Sequence, residues 1–411
     1  MALNLCFYFQ VHQPWRLRTY RYAEIGKRHD YFDAAENARV LRRVADKCYL
    51  PMNALLEELI LRHRPHFKLS FSVTATALAQ MQAYAPDALA SFRRLVASGG
   101  VELLAETSHH SLAGLYSPAE FKAEIERHAE VCRSLLGAPG RVFRNTELIT
   151  NDAIAAQVAA FGFQGICIEG ADRLFQGRSV LRPHPLAAAA GMLALPRHYR
   201  LSDDIAFRFS NRSWRAWPLT VGRYVQWLED TAAAGGGERL LGLFMDYETF
   251  GEHQWASTGI FDFMRALPEA VLARPHLRFA TLSEALARVA PAAGRLALPT
   301  PVSWADLERD TSAWTANRIQ RSAQAAVYAL EPYVHRAADA VLLEDWRRLL
   351  TSDHFYYMST KYWADGDVHK YFSHYDSPYD AYINYMNVLA DLARRCGAEQ
   401  VLAAAGSSVA A

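Results

Sequence analysis

The chain has 411 residues, enough for one large α/β barrel plus an appendage, and its 51% hydrophobic content supplies an ample core. Its 44 basic and 43 acidic side chains leave a net charge of +1, which removes any electrostatic reason to expect nucleic acid or an anionic membrane surface as a partner. Five scattered cysteines, Cys6, Cys48, Cys132, Cys167 and Cys396, form no C-x-x-C pair and favour a reducing compartment.

The N-terminal MALNLCFYFQVHQP lacks a basic start, a sustained apolar core and a small-residue cleavage site, so it reads as a first strand and not as a signal peptide. No apolar window reaches the length of a membrane span, and the expectation is a cytoplasmic protein. The runs FKLSFSV, VELLA, RVFRN, GICIE, IAFRFS, LLGLFM and RFATL predict further strands, with helical patterns between them. In SPAEFKAEIERHAEVCRSLLG, Ser117 is the expected N-cap, Pro118 the first helical residue, Glu120 the partner in a capping box, and Gly137 the stop. This alternation of strand and helix up to about residue 290 predicts a parallel sheet closed into a barrel. No G-x-G-x-x-G or phosphate loop follows any strand, which disfavours an open nucleotide-binding sheet. After PAAGRLALPTPVSW, residues 304–349 and 376–396 read as helices. The predicted division is a barrel over residues 1–295 and a helical region over 296–411 that contributes to the substrate cleft, because TSDHFYYMSTKYWADGDVHKYF is too aromatic and polar for a plain connector.

In a parallel barrel the strand ends facing the βα loops converge on one mouth, so polar residues just past an apolar strand are the first candidates for chemistry. FYFQV ends in His12, Gln13 and Pro14; VELLA runs into Glu106, His109 and His110; RVFRNT ends in Glu147; LLGLFM ends in Asp246. Each has a plainer reading. His12 could be a core histidine satisfied by a carbonyl, Glu102 or Glu106 an ion-pair partner, and Glu147 a first-turn acid of the next helix. Asp246 is harder to dismiss, since an acid abutting six apolar residues must be desolvated, paired or used. Two carboxylates at the ends of different strands, among aromatics and histidines, match the needs of glycosidic bond cleavage. Trp255 and Trp363 are candidates to stack on sugar faces, with core packing as their alternative.

HQP after the first strand, GGVELLAETSHHSL, FRNTELI, MDYETFGEHQW and LLTSDHFYYMS, in this order, resemble the five conserved regions of glycoside hydrolase family 57. The last three resemble most its α-amylase-like members. The resemblance implies a distorted (β/α)7 barrel followed by a C-terminal helical bundle, cleaving α-1,4-glucosidic bonds of α-glucans or maltooligosaccharides by a retaining mechanism, with no cofactor and no metal. By motif, Glu147 takes the nucleophile's position and Asp246 that of the general acid/base. His12, Gln13, Glu102, His110, His253, Asp353 and His354 are implied to line the sugar subsites, with Trp255 and Trp363 as stacking platforms. Asp246 must then hold a proton, which desolvation by the preceding strand and the charge of Glu147 both favour; Glu248 takes a supporting, hydrogen-bonding role. The resemblance also implies that the chain lacks room for the long additions of branching enzymes. Transfer to a second sugar, as in a 4-α-glucanotransferase, is the alternative reaction, and the sequence does not choose between them. A zinc-dependent deacetylase or mannosidase is disfavoured because H-Q-P stands where H-x-D is expected. A non-catalytic glucan-binding protein is disfavoured because both acids are present. An α-glucan is the one partner expected, and the sequence leaves the oligomeric state open.

Overall fold

In the computed structural model, residues 2–361 and 373–402 are described. They contain nine strands: β1 (Leu3–Val11), β2 (Leu69–Val73), β3 (Val101–Leu103), β4 (Val142–Arg144), β5 (Gly165–Glu169), β6 (His184–Pro185), β7 (Leu193–Arg197), β8 (Arg239–Asp246) and β9 (Leu277–Phe279). Seven run parallel in the order β3-β2-β1-β8-β7-β5-β4. The two ends of this series meet. Ala105, just past β3, bridges to Phe143 of β4; its N–H donates to Val142 at 3.1 Å and its carbonyl accepts from Arg144 at 2.8 Å. The sheet therefore closes into a distorted seven-stranded barrel with one short seam. The remaining two strands flank it, β9 beside Leu3–Leu5 of β1 and β6 antiparallel to β7.

The strands β1 and β5 are buried along their whole length, as a parallel sheet covered on both faces requires. The two-residue side-chain period splits β1 between two cores. Cys6 and Tyr8 join Leu195, Leu240 and Phe244 inside the barrel, whereas Leu5, Phe7 and Phe9 pack outward with the covering helices.

The helix Pro118–Leu135 starts as expected, with Ser117 Oγ accepting from the N–H of Glu120 at 3.1 Å. The other half of the predicted capping box does not form. The Glu120 carboxylate instead takes the Arg347 guanidinium, at 2.5 Å from Nε and 3.2 Å from Nη2, because a buried charge is compensated better by a cation than by one more amide. That pair ties the barrel to the C-terminal helices.

The predicted strand IAFRFS is not a strand. Its first residues end the helix Tyr199–Ala206, which buries Leu201 and Ile205 and is capped by the His198 ring, Nδ1 accepting from Leu201 N–H at 3.3 Å. The strand in this part of the chain is LALPR, β7, whose Pro196 hid it from a propensity reading. The proline is tolerated because β7 meets β8 only through Arg197 beside Gly242, so no ladder bond from residue 196 is needed on that side.

The C-terminal helices Arg318–Ala329, Ala340–Leu349, Ser352–Tyr356 and Pro378–Arg395 share one apolar cluster with the barrel, running from Ile166 and Ile168 through Leu296 and Leu298 to Trp346 and Leu389. The stretch that reads as a linker is bound into barrel loops: Leu296 N–H donates to Pro185 at 2.7 Å, Leu298 accepts from Asp152 N–H at 2.9 Å, and Val302 pairs with Thr150. No helix among the described residues is long and apolar enough to cross a membrane.

Candidate active site

A cavity of about 610 Å³ opens at the barrel mouth where β1, β4, β7 and β8 end, and Ser352–Tyr357 of the C-terminal region forms one wall. Glu147 and Asp246 both line it. Glu147 lies in the short turn Thr146–Leu148 just past β4 and adopts φ 55°, ψ 25°, a left-handed conformation that costs a non-glycine residue about 1–3 kcal/mol. Its partner His110 is also left-handed, at φ 53°. The return on this strain is aim: Glu147 Oε1 accepts from His110 Nε2 at 2.8 Å, and Oε2 accepts from Trp304 Nε1 at 2.7 Å.

Burial alone would raise the pKa of Glu147. The hydrogen bond and charge of His110 outweigh it, together with Arg144 and Trp304, and hold the carboxyl below the usual glutamate range. His110 responds in the opposite sense. Burial disfavours its charge, but Glu106 on one ring nitrogen and Glu147 on the other push its pKa up to about 9. Behind them Arg144 is completely buried and lies over the Trp304 ring at 4.9 Å.

Asp246 ends β8, and its carboxyl has no hydrogen-bond partner among the described residues. Burial and the negative charge of Glu147 raise its pKa to about 6. Glu248, two residues on, is pushed up to about 8 by burial and then by Asp246. Its Oε1 accepts from the hydroxyl of Tyr49 and from Gln13 Nε2.

On the other wall His12 stacks on His110 with ring centroids 4.0 Å apart. Burial, reinforced by the charge on His110, lowers the His12 pKa, so the ring is neutral. A neutral ring that donates from Nε2 to Asp353 Oδ2, at 3.0 Å, must accept at Nδ1, and the Thr74 hydroxyl supplies that proton at 3.0 Å. His253 also lines the cavity, and burial pushes its pKa down to about 4. His109 turns away to Ser108 and Glu344. Among the described residues no group of three or more His, Cys, Asp or Glu side chains is arranged to hold a metal ion.

The sequence profile of glycosyl hydrolase family 57 matches residues 6–298. The chain belongs to glycosyl hydrolase family 57. A curated protein of Methanocaldococcus jannaschii, whose name gives it provisionally as an alpha-amylase, is 40% identical over 94% of this chain and 83% of its own length. Among solved structures, a 4-alpha-glucanotransferase from Thermococcus litoralis superposes with a TM-score of 0.67 at 16% identity, over 86% of this chain and 56% of that one. This hydrolase thus spans little more than half of that protein. A family 57 branching enzyme from Pyrococcus horikoshii matches at 0.63 and 16%, over 96% and 94% of the two chains. An alpha-amylase from Thermotoga maritima matches at 0.61 and 13%, over 100% and 97%. At these identities the likeness is one of fold.

In this family 57 hydrolase, five sequence-derived candidates besides the two acids line the cavity: His12, Gln13, His110, His253 and Asp353. Glu102 does not. It sits in β3 at the closed end of the barrel, where its carboxylate takes Ser70 Oγ at 3.2 Å, Ser283 N–H at 3.1 Å and the Ser283 hydroxyl. The acid of that region which reaches the site is Glu106, buried beneath His110. His354 also points away, its Nε2 donating to the Arg348 carbonyl at 3.1 Å, because consecutive residues of one helical turn diverge. Trp255 lies outside the cavity lining, 63% exposed, with Lys47 over its ring at 5.8 Å. Trp363 lies outside the described residues.

Sequence reasoning missed Trp304, Arg144, Arg197 and Phe207. Trp304 was hidden inside a stretch read as linker, although a lone tryptophan after V-S in a Pro-rich segment is itself a signal. Arg144 was legible as a charge inside a three-residue buried strand. Arg197 binds Glu169 at 3.1 Å and Asp203 at 2.5 Å, closing the wall beside Asp246. Phe207 and Leu307, 64% and 85% exposed, form an apolar rim of the same cavity.

Proposed function

We propose that this chain is a retaining hydrolase of α-1,4-glucosidic bonds in α-glucans or maltooligosaccharides, with Glu147 as nucleophile and Asp246 as general acid/base. The observation that carries the reading is the opposite environment of two carboxyls in one cleft: Glu147 takes hydrogen bonds from His110 and Trp304, which favour its charge, whereas the Asp246 carboxyl receives none among the described residues and is pushed up to about 6 by burial and by Glu147. In the first step Glu147 Oε bonds to the anomeric carbon as the glycosidic C–O bond breaks, and Asp246 gives its proton to the leaving oxygen. In the second step water attacks the same carbon, releasing Glu147, and Asp246 takes the proton from the water. His12, Gln13, His110, His253 and Asp353 would hold sugar hydroxyls; the barrel of residues 1–295 supplies both acids and the region 296–411 completes the cleft. The named relative supports the amylase assignment, and five unpaired cysteines fit a cytoplasmic setting.

A 4-α-glucanotransferase is the second reading, favoured by the apolar rim of Phe207 and Leu307, which is suited to hold an acceptor sugar. Maltoheptaose products tell the two apart: shorter chains alone mean hydrolysis, and longer plus shorter chains mean transfer. Glu147→Gln is expected to lower turnover on the order of a thousandfold or more while leaving the fold intact. Proton NMR of the first-formed product is expected to show the α-anomer; retained activity in the variant or a β-anomeric product sinks the assignment.

A further inference from the structure

Among the described residues, Glu248 is a carboxyl without a counter-ion. It is 7% exposed, and among the described residues no cation lies within ion-pair distance, while another acid, Asp246, stands two positions before it. Both of its side-chain hydrogen bonds fall on one oxygen: the Tyr49 hydroxyl and Gln13 Nε2, the latter at 3.5 Å, donate to Oε1. No other side chain among the described residues bonds to Oε2, and the residue lines the cleft.

The surrounding chain is built to this arrangement. Tyr49 comes from a π-helical turn, Ala45–Tyr49, inserted between two α-helices, an irregularity that re-aims side chains and recurs at functional sites. The same turn grips the segment that carries Glu248. Cys48 Sγ donates to the Tyr247 carbonyl at 3.1 Å, and the Tyr49 and Tyr247 rings lie parallel with centroids 6.1 Å apart. Gly251, at φ 108°, passes so close that a Cβ there would stand 1.9 Å from the Lys47 carbonyl oxygen. Gln13 is itself fixed by Arg16, whose Nη2 donates to its Oε1 at 3.3 Å, so its amide nitrogen is left facing Glu248.

With no cation beside it among the described residues and both donors on Oε1, a proton on this carboxyl would sit on Oε2. We propose that Glu248 binds substrate as a neutral carboxylic acid, its Oε2–H donating a hydrogen bond to a hydroxyl of the sugar in the cleft. This rests on the α-glucan reading above. The site thereby gains a donor in a place where a carboxylate would repel Asp246 once Asp246 has given up its proton.

Burial, then Asp246, push the Glu248 pKa up to about 8, so its donor is lost as pH rises through that value. The other titratable groups packed against it, Cys48, Tyr49 and Tyr247, are raised by burial well above their ordinary values and stay neutral through this range. Asp246, at about 6, is already ionised above pH 7.

The test is maltoheptaose binding by calorimetry from pH 7 to 9 in a Glu147→Gln parent, which cannot turn over, and in the same protein with Glu248→Gln added. The amide reproduces the arrangement, its oxygen facing Tyr49 and Gln13 and its NH2 facing the cleft. The parent is expected to lose about tenfold in affinity across this range. The double variant is expected to bind within about threefold of the parent at pH 7 and to lose that added pH dependence; His110 is common to both and cancels in the comparison. Infrared difference spectra at pH 7 should show a protonated carboxyl band in the parent that Glu248→Gln removes. The proposal is overturned if that band is absent, if both proteins share one pH slope, or if the double variant binds at least thirtyfold more weakly at pH 7. A parent that binds no maltoheptaose at all overturns the α-glucan reading first, and the sugar-donor role with it.

Discussion

Replacing Trp304 with Phe isolates one of the two hydrogen bonds that keep the proposed nucleophile charged. The indole Nε1 donates to Glu147 Oε2 at 2.7 Å, while its ring lies under Arg144 at 4.9 Å and Arg197 at 5.7 Å. Phenylalanine keeps a ring face for both guanidinium groups and removes only the donor. A hydrogen bond to a charged acceptor contributes roughly 1.5–3 kcal/mol, and 1.36 kcal/mol corresponds to about one pKa unit. The Glu147 pKa is therefore expected to rise by roughly 1–2 units in the variant. Glu147 must be ionised to attack, so the acidic limb of kcat/KM moves up in pH by the same amount, toward the alkaline limb set by Asp246. The active range narrows and the maximum falls. The assay is kcat/KM for an aryl maltooligosaccharide between pH 3 and 8, with thermal unfolding to confirm that Tm stays within a few degrees. An acidic limb that does not move in a folded variant would refute the claim that Trp304 sets the charge of Glu147.

Asp246 must be protonated to act, and with its pKa raised to about 6 the wild-type kcat/KM is expected to decline as pH rises through 6; Asp246→Asn should abolish that limb and lower kcat by about 10²–10⁴-fold on substrates with poor leaving groups, and much less on activated aryl glycosides. Phe207→Ala is expected to raise KM for maltoheptaose by about two- to tenfold and to reduce transfer products relative to hydrolysis, as removal of a stacking face worth about 0.5–1.5 kcal/mol requires; unchanged KM would remove the rim from the binding surface. Gly251→Ala forces a Cβ onto the Lys47 carbonyl oxygen at a left-handed φ of 108°, and chemical denaturation should register a loss of about 2–4 kcal/mol.

Much of the fold was legible because parallel-barrel strands carry a strong and redundant signal. LNLCFYFQV and GICIE are almost continuously apolar, as strands of a parallel sheet covered on both faces are. The misread strand shows where that signal weakens. LALPR contains a proline that propensity counts against, and only its sparse contact with β8 makes the proline acceptable. IAFRFS alternates like a strand, but Phe207 points into the cleft mouth and Phe209 into the core from a turn that follows a helix. A side chain exposed for function mimics one face of a strand.

The two acids were legible as positions at strand ends, yet nothing local distinguishes which keeps its proton. VFRN before Glu147 is as buried as LLGLFM before Asp246, so desolvation acts on both. The difference comes from elsewhere in the chain. His110, from the loop after β3, and Trp304, from the segment returning out of the barrel, both donate to Glu147, whereas no described group donates to the Asp246 carboxyl. His110 can do so as a cation only because Glu106 sits beneath its other nitrogen, and Glu106 stays charged only beside His110, His128 and Arg144. Each contact in this chain of charges spans separate strands or loops. Sequence spacing therefore marks the acids, while the closure of the barrel across Ala105 and Phe143 is what brings β3 and β4 together and lets the charge on one acid hold the proton on the other.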